Sequence, residues 1–159
     1  MPHKKLYEIF DSKGVKFLDQ ETKINEEKKD YLKSYKKTRN RLNSLELQLR
    51  QLKLDMLHVR ASQGDGMPRG KGEMNDLSRF MEQMANLEER IDSKRSELVD
   101  KQIKITSAIN LLNDDDECTI MTEKYLNGKT WEKVSEDNGY AWMTMHRIHG
   151  RALKKIKLG

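Results

Sequence analysis

A chain of 159 residues with 36% charged, 35% apolar and only 6% aromatic residues cannot fill one large core, but it can bury narrow apolar stripes between helices. Two prolines permit long uninterrupted helices and argue against a turn-rich β-sandwich. The net charge of +5 leans toward an anionic partner, and the single cysteine, Cys118, excludes an intrachain disulfide and suits a reducing cytosol.

No apolar run approaches the roughly 18 residues of a membrane span. The segment from Met1 to Asp11 carries lysines without an apolar stretch behind them, so no secretory signal is expected. Residues 1–30 read as an N-terminal arm. Leu6, Ile9 and Phe10 would form one side of a short helix, Gly14 would break it, and Val15, Phe17 and Leu18 would add a small apolar patch.

From Tyr31 the apolar positions fall in alternating steps of three and four: Tyr31, Tyr35, Leu42, Leu45, Leu49, Leu52, Met56 and Val59, with Thr38 filling the one gap. That heptad seam predicts a helix about 45 Å long. Gly64, Gly66, Pro68, Gly70 and Gly72 then predict a loop over residues 61–75. It lacks the Ser or Thr after Lys71 and the preceding strand that a phosphate-cradling loop needs.

A second seam is expected after Asn75 or Asp76, either of which can cap a helix. It runs Leu77, Phe80, Met84, Leu87, Ile91, Lys94, Leu98, Lys101, Ile105, Ala108 and Leu112. Lys94 and Lys101 are either polar intrusions that fix register, or a sign that the stripe drifts onto Val99 and Ile103. Two such seams predict an antiparallel helical hairpin over residues 31–112. A pair of this width is marginal alone, so a homodimer or higher oligomer is expected through it. The acidic run from Asp114 to Glu117 reads as a boundary and N-cap rather than a metal site.

Residues 113–159 predict three short helices. The first runs from Cys118 to Leu126 with Ile120, Met121, Tyr125 and Leu126 inward, and ends at Asn127-Gly128. The second is capped by Thr130 and buries Trp131 and Val134. After a turn at Asn138-Gly139-Tyr140, the third runs from about Trp142 to Lys157 with Met145, Ile148, Ala152, Leu153 and Ile156 inward. From Tyr140 to Gly159 every charged side chain is basic, whereas the second helix carries Glu132, Glu136 and Asp137. A tight turn before a purely basic helix is the pattern of a helix-turn-helix that meets phosphates.

The stretch Thr130-Trp131-Glu132-Lys133-Val134 through Gly139-Tyr140, with Met145-His146-Arg147-Ile148-His149-Gly150-Arg151-Ala152-Leu153-Lys154-Lys155-Ile156, resembles the fourth conserved region of bacterial primary sigma factors. The resemblance covers the last forty or so residues and implies recognition of a promoter −35 element. Nothing resembles the sigma segment that melts the −10 element. The wider layout of a tyrosine-leucine start, heptads, Met67-Pro68, a second long helix and a sigma-like end is similar to phage late-gene transcription regulators of the ArpU and RinA type. This implies a cytoplasmic activator of phage late or packaging genes in a bacterial host, with RNA polymerase as a further partner. Ala141 departs from the Ser or Thr both families tend to place there, and Trp142 stands where sigma factors often carry arginine.

Carried over position by position, the resemblance implies that Trp142, Met143, Thr144, His146 and Arg147 contact DNA, with the base-facing roles on Trp142, Met143, His146 and Arg147. Arg147 matches the two acceptors of guanine. Trp142 has the alternative of closing the start of its helix against Trp131. Arg151, Lys154, Lys155 and the amides near Thr130 would hold phosphates. His146 and His149 have a spacing that can hold zinc, but further ligands are missing, so no metal, cofactor or catalytic site is expected. The fold class expected is all-α: a long antiparallel coiled-coil hairpin followed by a small C-terminal helix-turn-helix domain. The function expected is sequence-specific binding of double-stranded DNA without enzymatic activity. A packaging subunit of the small-terminase kind and a coiled-coil adaptor without DNA binding are the alternatives.

Overall fold

The computed structural model describes the backbone of residues 4–62 and 71–158, and the side chains of residues 21–61 and 77–158. It is all-α, with no strand among the described residues. The helices are α1 (Lys4–Ser62), α2 (Lys71–Asn110), α3 (Asp115–Met121), α4 (Trp131–Asn138) and α5 (Trp142–Lys155). A π-helical turn over Thr122–Leu126 continues α3. No helix among the described residues is long and apolar enough to cross a membrane.

Two helix boundaries differ from expectation. The backbone of α1 passes through Gly14 without a break, and α2 starts at Lys71, so it includes Gly72 and needs no cap at Asn75 or Asp76. A helical glycine costs only about 1 kcal/mol relative to alanine, which a long run of good helix formers offsets. The remaining loop glycines and Pro68 lie outside the described residues, as do the side chains of the N-terminal apolar patch.

The chain divides into two compact units. One contains α1 up to Lys36 and everything from Gln102 onward, and the other is Lys37–Lys101.

In the Lys37–Lys101 unit, α1 and α2 run antiparallel. Leu42 and Leu45 are buried against Ile91, with Leu49, Leu87 and Leu98 packed around them. Arg95 pairs with Glu46 at 2.9 Å and Lys53 with Glu88 at 3.2 Å, so both pairs keep one antiparallel register. Farther along, Leu52, Met56, Phe80 and Met84 are only half-buried.

The ambiguity at Lys94 and Lys101 is resolved in favour of a polar layer. Val99 and Ile103 are 47% and 59% exposed, so the stripe does not drift onto them. Lys101 Nζ donates to Thr38 Oγ1 at 2.9 Å and to Glu97 Oε1 at 2.7 Å, and Lys94 Nζ reaches the other Glu97 oxygen at 2.5 Å. Hydrogen bonds first from Lys101 and then from Lys94 hold the Glu97 carboxyl down at about 2. Thr38, the gap in the first seam, is buried because it completes this layer.

In the other unit, α3, α4 and α5 enclose Ile120, Val134, Met145 and Ile148, with Trp131 and Tyr140 packed on them. Ala152, Leu153 and Ile156 extend the inward stripe of α5. Leu32 and Tyr35 of α1 and Ile105, Ala108, Ile109 and Leu112 of α2 are also buried. Lys28 Nζ donates to the Leu153 carbonyl at 2.7 Å, which ties α1 to α5.

Candidate nucleic-acid interface

Asp114 caps α3: its Oδ1 accepts from the amides of Asp116 and Glu117 at 3.0 and 3.1 Å. The acidic run is therefore a helix start, and no cluster of three potential metal ligands occurs among the described residues. Cys118 Sγ lies 3.4 Å from the Ile109 carbonyl, and burial first, then the neighbouring acidic groups, raises its thiol above the usual range. The π-turn closes through Asn127 N–H to the Thr122 carbonyl at 2.9 Å, and Gly128 leaves it with φ of 72°. A left-handed backbone at this point favours glycine.

Thr130 caps α4 through a 3.3 Å bond from the Lys133 amide. The Glu132 carboxyl is held below the usual range, by its own backbone N–H first and by the Thr130 hydroxyl second. After α4, Gly139 adopts φ of 67°, and Ser135 Oγ donates to the Tyr140 carbonyl at 2.6 Å. Tyr140 Oη donates to Asp116 at 2.7 Å, which anchors the turn to α3. Helix α5 then starts at Ala141, which offers no side-chain cap.

The faces of α5 divide cleanly. Met145, Ile148, His149, Ala152 and Leu153 are buried, while Met143 is 79% exposed and Trp142 46%. Arg147 is exposed, one turn beyond Met143 on the same face, followed by Gly150 and Lys154. Thr144 is half-buried on the flank.

His146 stands between two tryptophans, with its ring 5.0 Å from that of Trp131 and 4.7 Å from that of Trp142. Trp142 thus closes the start of α5 through His146 rather than by meeting Trp131 directly. His149 is committed elsewhere. Its Nε2 lies 2.9 Å from Tyr125 Oη, and its ring meets Trp131 edge-on at 4.7 Å. Burial, then the charges of Lys29, His146 and Lys124, press its pKa down to about 4, and burial raises that of Tyr125. The hydroxyl therefore donates and a neutral imidazole accepts.

The basic residues of α5 differ in what they hold. Lys155 Nζ reaches Glu117 Oε1 and Oε2 at 2.8 and 3.0 Å. Arg151 lies 3.4 Å from Glu117 and 3.5 Å from Asp114, and Lys154 pairs with Glu21 at 3.0 Å. Among the described residues, Arg147 is the only cation of α5 without a carboxylate partner. Its guanidinium is the α5 cation open to an external acceptor.

No family model, no curated protein and no solved structure matches the chain. The geometry therefore stands alone. It brings Trp142, Met143, His146 and Arg147 together at the start of one helix. It leaves Thr130 one helix earlier and sets Lys155 against a buried carboxylate. Sequence reasoning places Glu117 only in a helix start, not in the buried position it holds, and does not single out the lysines of α1 that approach the π-turn. The spacing of Glu117 and Lys155 carries no signal, because they are 38 residues apart.

Proposed function

We propose that this protein is a sequence-specific double-stranded DNA-binding transcription regulator that reads base edges with the exposed start of α5. The observation that carries the proposal is the unpaired Arg147 guanidinium, flanked on the same face by exposed Met143 and by Gly150 and held on a helix whose opposite face is buried. A guanidinium in that setting matches the paired acceptors of guanine in the major groove, and Met143 and Trp142 suit thymine methyl groups. The resemblance to the sigma fourth region and to the ArpU and RinA type makes activation of phage late or packaging genes the role. The half-buried rows Leu52–Met56 and Phe80–Met84 favour oligomerisation through α1 and α2, with two reading helices presented together.

The test is a gel-shift selection from fragmented phage DNA with the full chain and its Arg147→Ala variant. The wild type is expected to enrich a discrete site. The variant should keep non-specific binding and lose about 1–3 kcal/mol of discrimination at one base pair. Equal enrichment by both proteins would remove Arg147 from the reading face. Sedimentation of the same samples gives the stoichiometry: a dimer fits the regulator, and a large ring would favour a packaging subunit.

A further inference from the structure

A cleft of about 170 Å³ opens beside the π-turn, lined by Leu32, Lys33, Lys36, Lys124, Tyr125 and Lys129. Four of its six lining residues are lysines and none is a carboxylate. Lys36 Nζ donates to the Gly128 carbonyl at 3.1 Å and Lys124 Nζ to the Lys129 carbonyl at 3.2 Å. Carbonyls position these ammonium groups without neutralising them. Carboxylates stand outside the cleft: Glu123 and Asp137 on Lys129, Asp30 at 3.9 Å from Lys33, and Glu132 within electrostatic reach of Lys124. Among the described residues, Lys36 and Lys124 have no carboxylate within ion-pair distance.

We infer that this lysine-lined cleft binds a phosphate group. Lys33, Lys36 and Lys124 supply charge, and the Leu32 and Tyr125 side chains form an apolar floor that limits competing water. Burial and the like charges of Lys36 and Lys33 push the Lys124 ammonium below the usual lysine range, a strain that a bound dianion or phosphodiester would relieve. The cleft also connects to the reading face through contacting rings. Lys124 Nζ sits 4.5 Å over the Trp131 ring, Trp131 meets His146, and His146 meets Trp142. The source assigned to that phosphate is a backbone phosphodiester of a duplex held by α5. That choice of source rests on the DNA reading, whereas the phosphate chemistry does not.

The experiment uses the full chain, the double variant Lys33→Gln/Lys124→Gln, and Lys124→Arg as the charge-preserving control. Because Lys124 packs on Trp131, Lys33→Gln alone, at an exposed position, keeps the test alive if the double variant does not fold. In one arm, affinity for a short random-sequence duplex is measured across salt concentrations. Each lost phosphate contact should lower the log–log salt slope by about 0.9, which is roughly tenfold in affinity at 0.1 M salt. Lys124→Arg should retain the slope. In the other arm, inorganic phosphate is titrated against chloride at matched ionic strength while the amide resonances of Gly128 and Lys129 are followed. Shifts lost in the glutamine variants establish the site whatever the DNA arm shows. A reduced slope likewise supports it and assigns the phosphate to the duplex backbone. Phosphate-dependent shifts with no DNA binding by the wild type would keep the site and sink the DNA reading. An unchanged slope together with unmoved resonances overturns the inference.

Discussion

Lys155 and Glu117 lie 38 residues apart, yet Lys155 Nζ contacts both carboxylate oxygens, at 2.8 and 3.0 Å. The pair is asymmetric: the Glu117 side chain is fully buried and that of Lys155 is half-exposed. It joins the first turn of α3 to the last turn of α5, so these two helices cannot slide independently.

The asymmetry fixes the order of two substitutions. Lys155→Met should be the more damaging, because it strands a buried carboxylate with only the 3.4 Å contact from Arg151. The loss should approach the roughly 3–5 kcal/mol typical of breaking a buried pair. Glu117→Gln leaves a lysine that can turn to water, so about 2 kcal/mol is expected. Thermal unfolding of the two variants gives the ranking, and the reverse order would mean that the pair is solvated.

The buried Tyr125–His149 pair makes stability depend on pH in a defined window. His149 has a pKa near 4 in the folded chain and about 6.5 when unfolded. Below 6.5 the unfolded state takes up a proton that the folded state refuses. Stability is therefore full above pH 6.5 and falls as pH drops to about 4, by up to about 3 kcal/mol. The lowered carboxylates, Glu97 among them, act only at lower pH. Denaturant midpoints between pH 7 and pH 4.5, compared with His149→Gln, test this. The variant should show a flatter profile, and an equal slope would assign the effect to other groups.

How much of this could be read from the sequence follows from the range of the interactions. The inward stripe of α5, the Thr130 cap and the turn at Gly139 are set by neighbours within a few positions, and all occur as expected. Gly14 and Gly72 do not end helices as their sequence suggests, because helix propensity is a small effect that long helices override. Leu32 does not belong to the heptad seam, because it serves the unit containing α3 to α5 rather than the hairpin. The lysine cleft needs Lys36 and Gly128 side by side, 92 residues apart, and no local pattern encodes that.

The polar layer of Thr38, Glu97 and Lys101 should trade stability for specificity. Its charged side chains, Lys101 and Glu97, are partly solvated, so their hydrogen bonds compete with water, and a fully apolar layer of similar volume would pack at no such cost. The triple variant Thr38→Val/Glu97→Leu/Lys101→Leu is expected to melt higher than the wild type. It should also sediment as a broader set of species, because the register device has been removed. A single sharp species for the triple variant would show that the layer does not govern pairing.

Gly150 should respond in opposite directions in two assays. It lies within α5 on the face of Met143, Arg147 and Lys154, and a Cβ built there meets nothing within 4 Å. Its backbone does not adopt the positive φ that would require glycine. No contact among the described residues explains the residue, and in a helix it costs about 1 kcal/mol relative to alanine. Gly150→Ala should therefore stabilise the fold by about that amount. With α5 in the groove as proposed, the same methyl would stand between α5 and the groove floor, so specific DNA affinity should fall severalfold with the salt slope unchanged. Higher stability with unaltered affinity would place Gly150 outside the contact surface and shift the reading face toward Trp142.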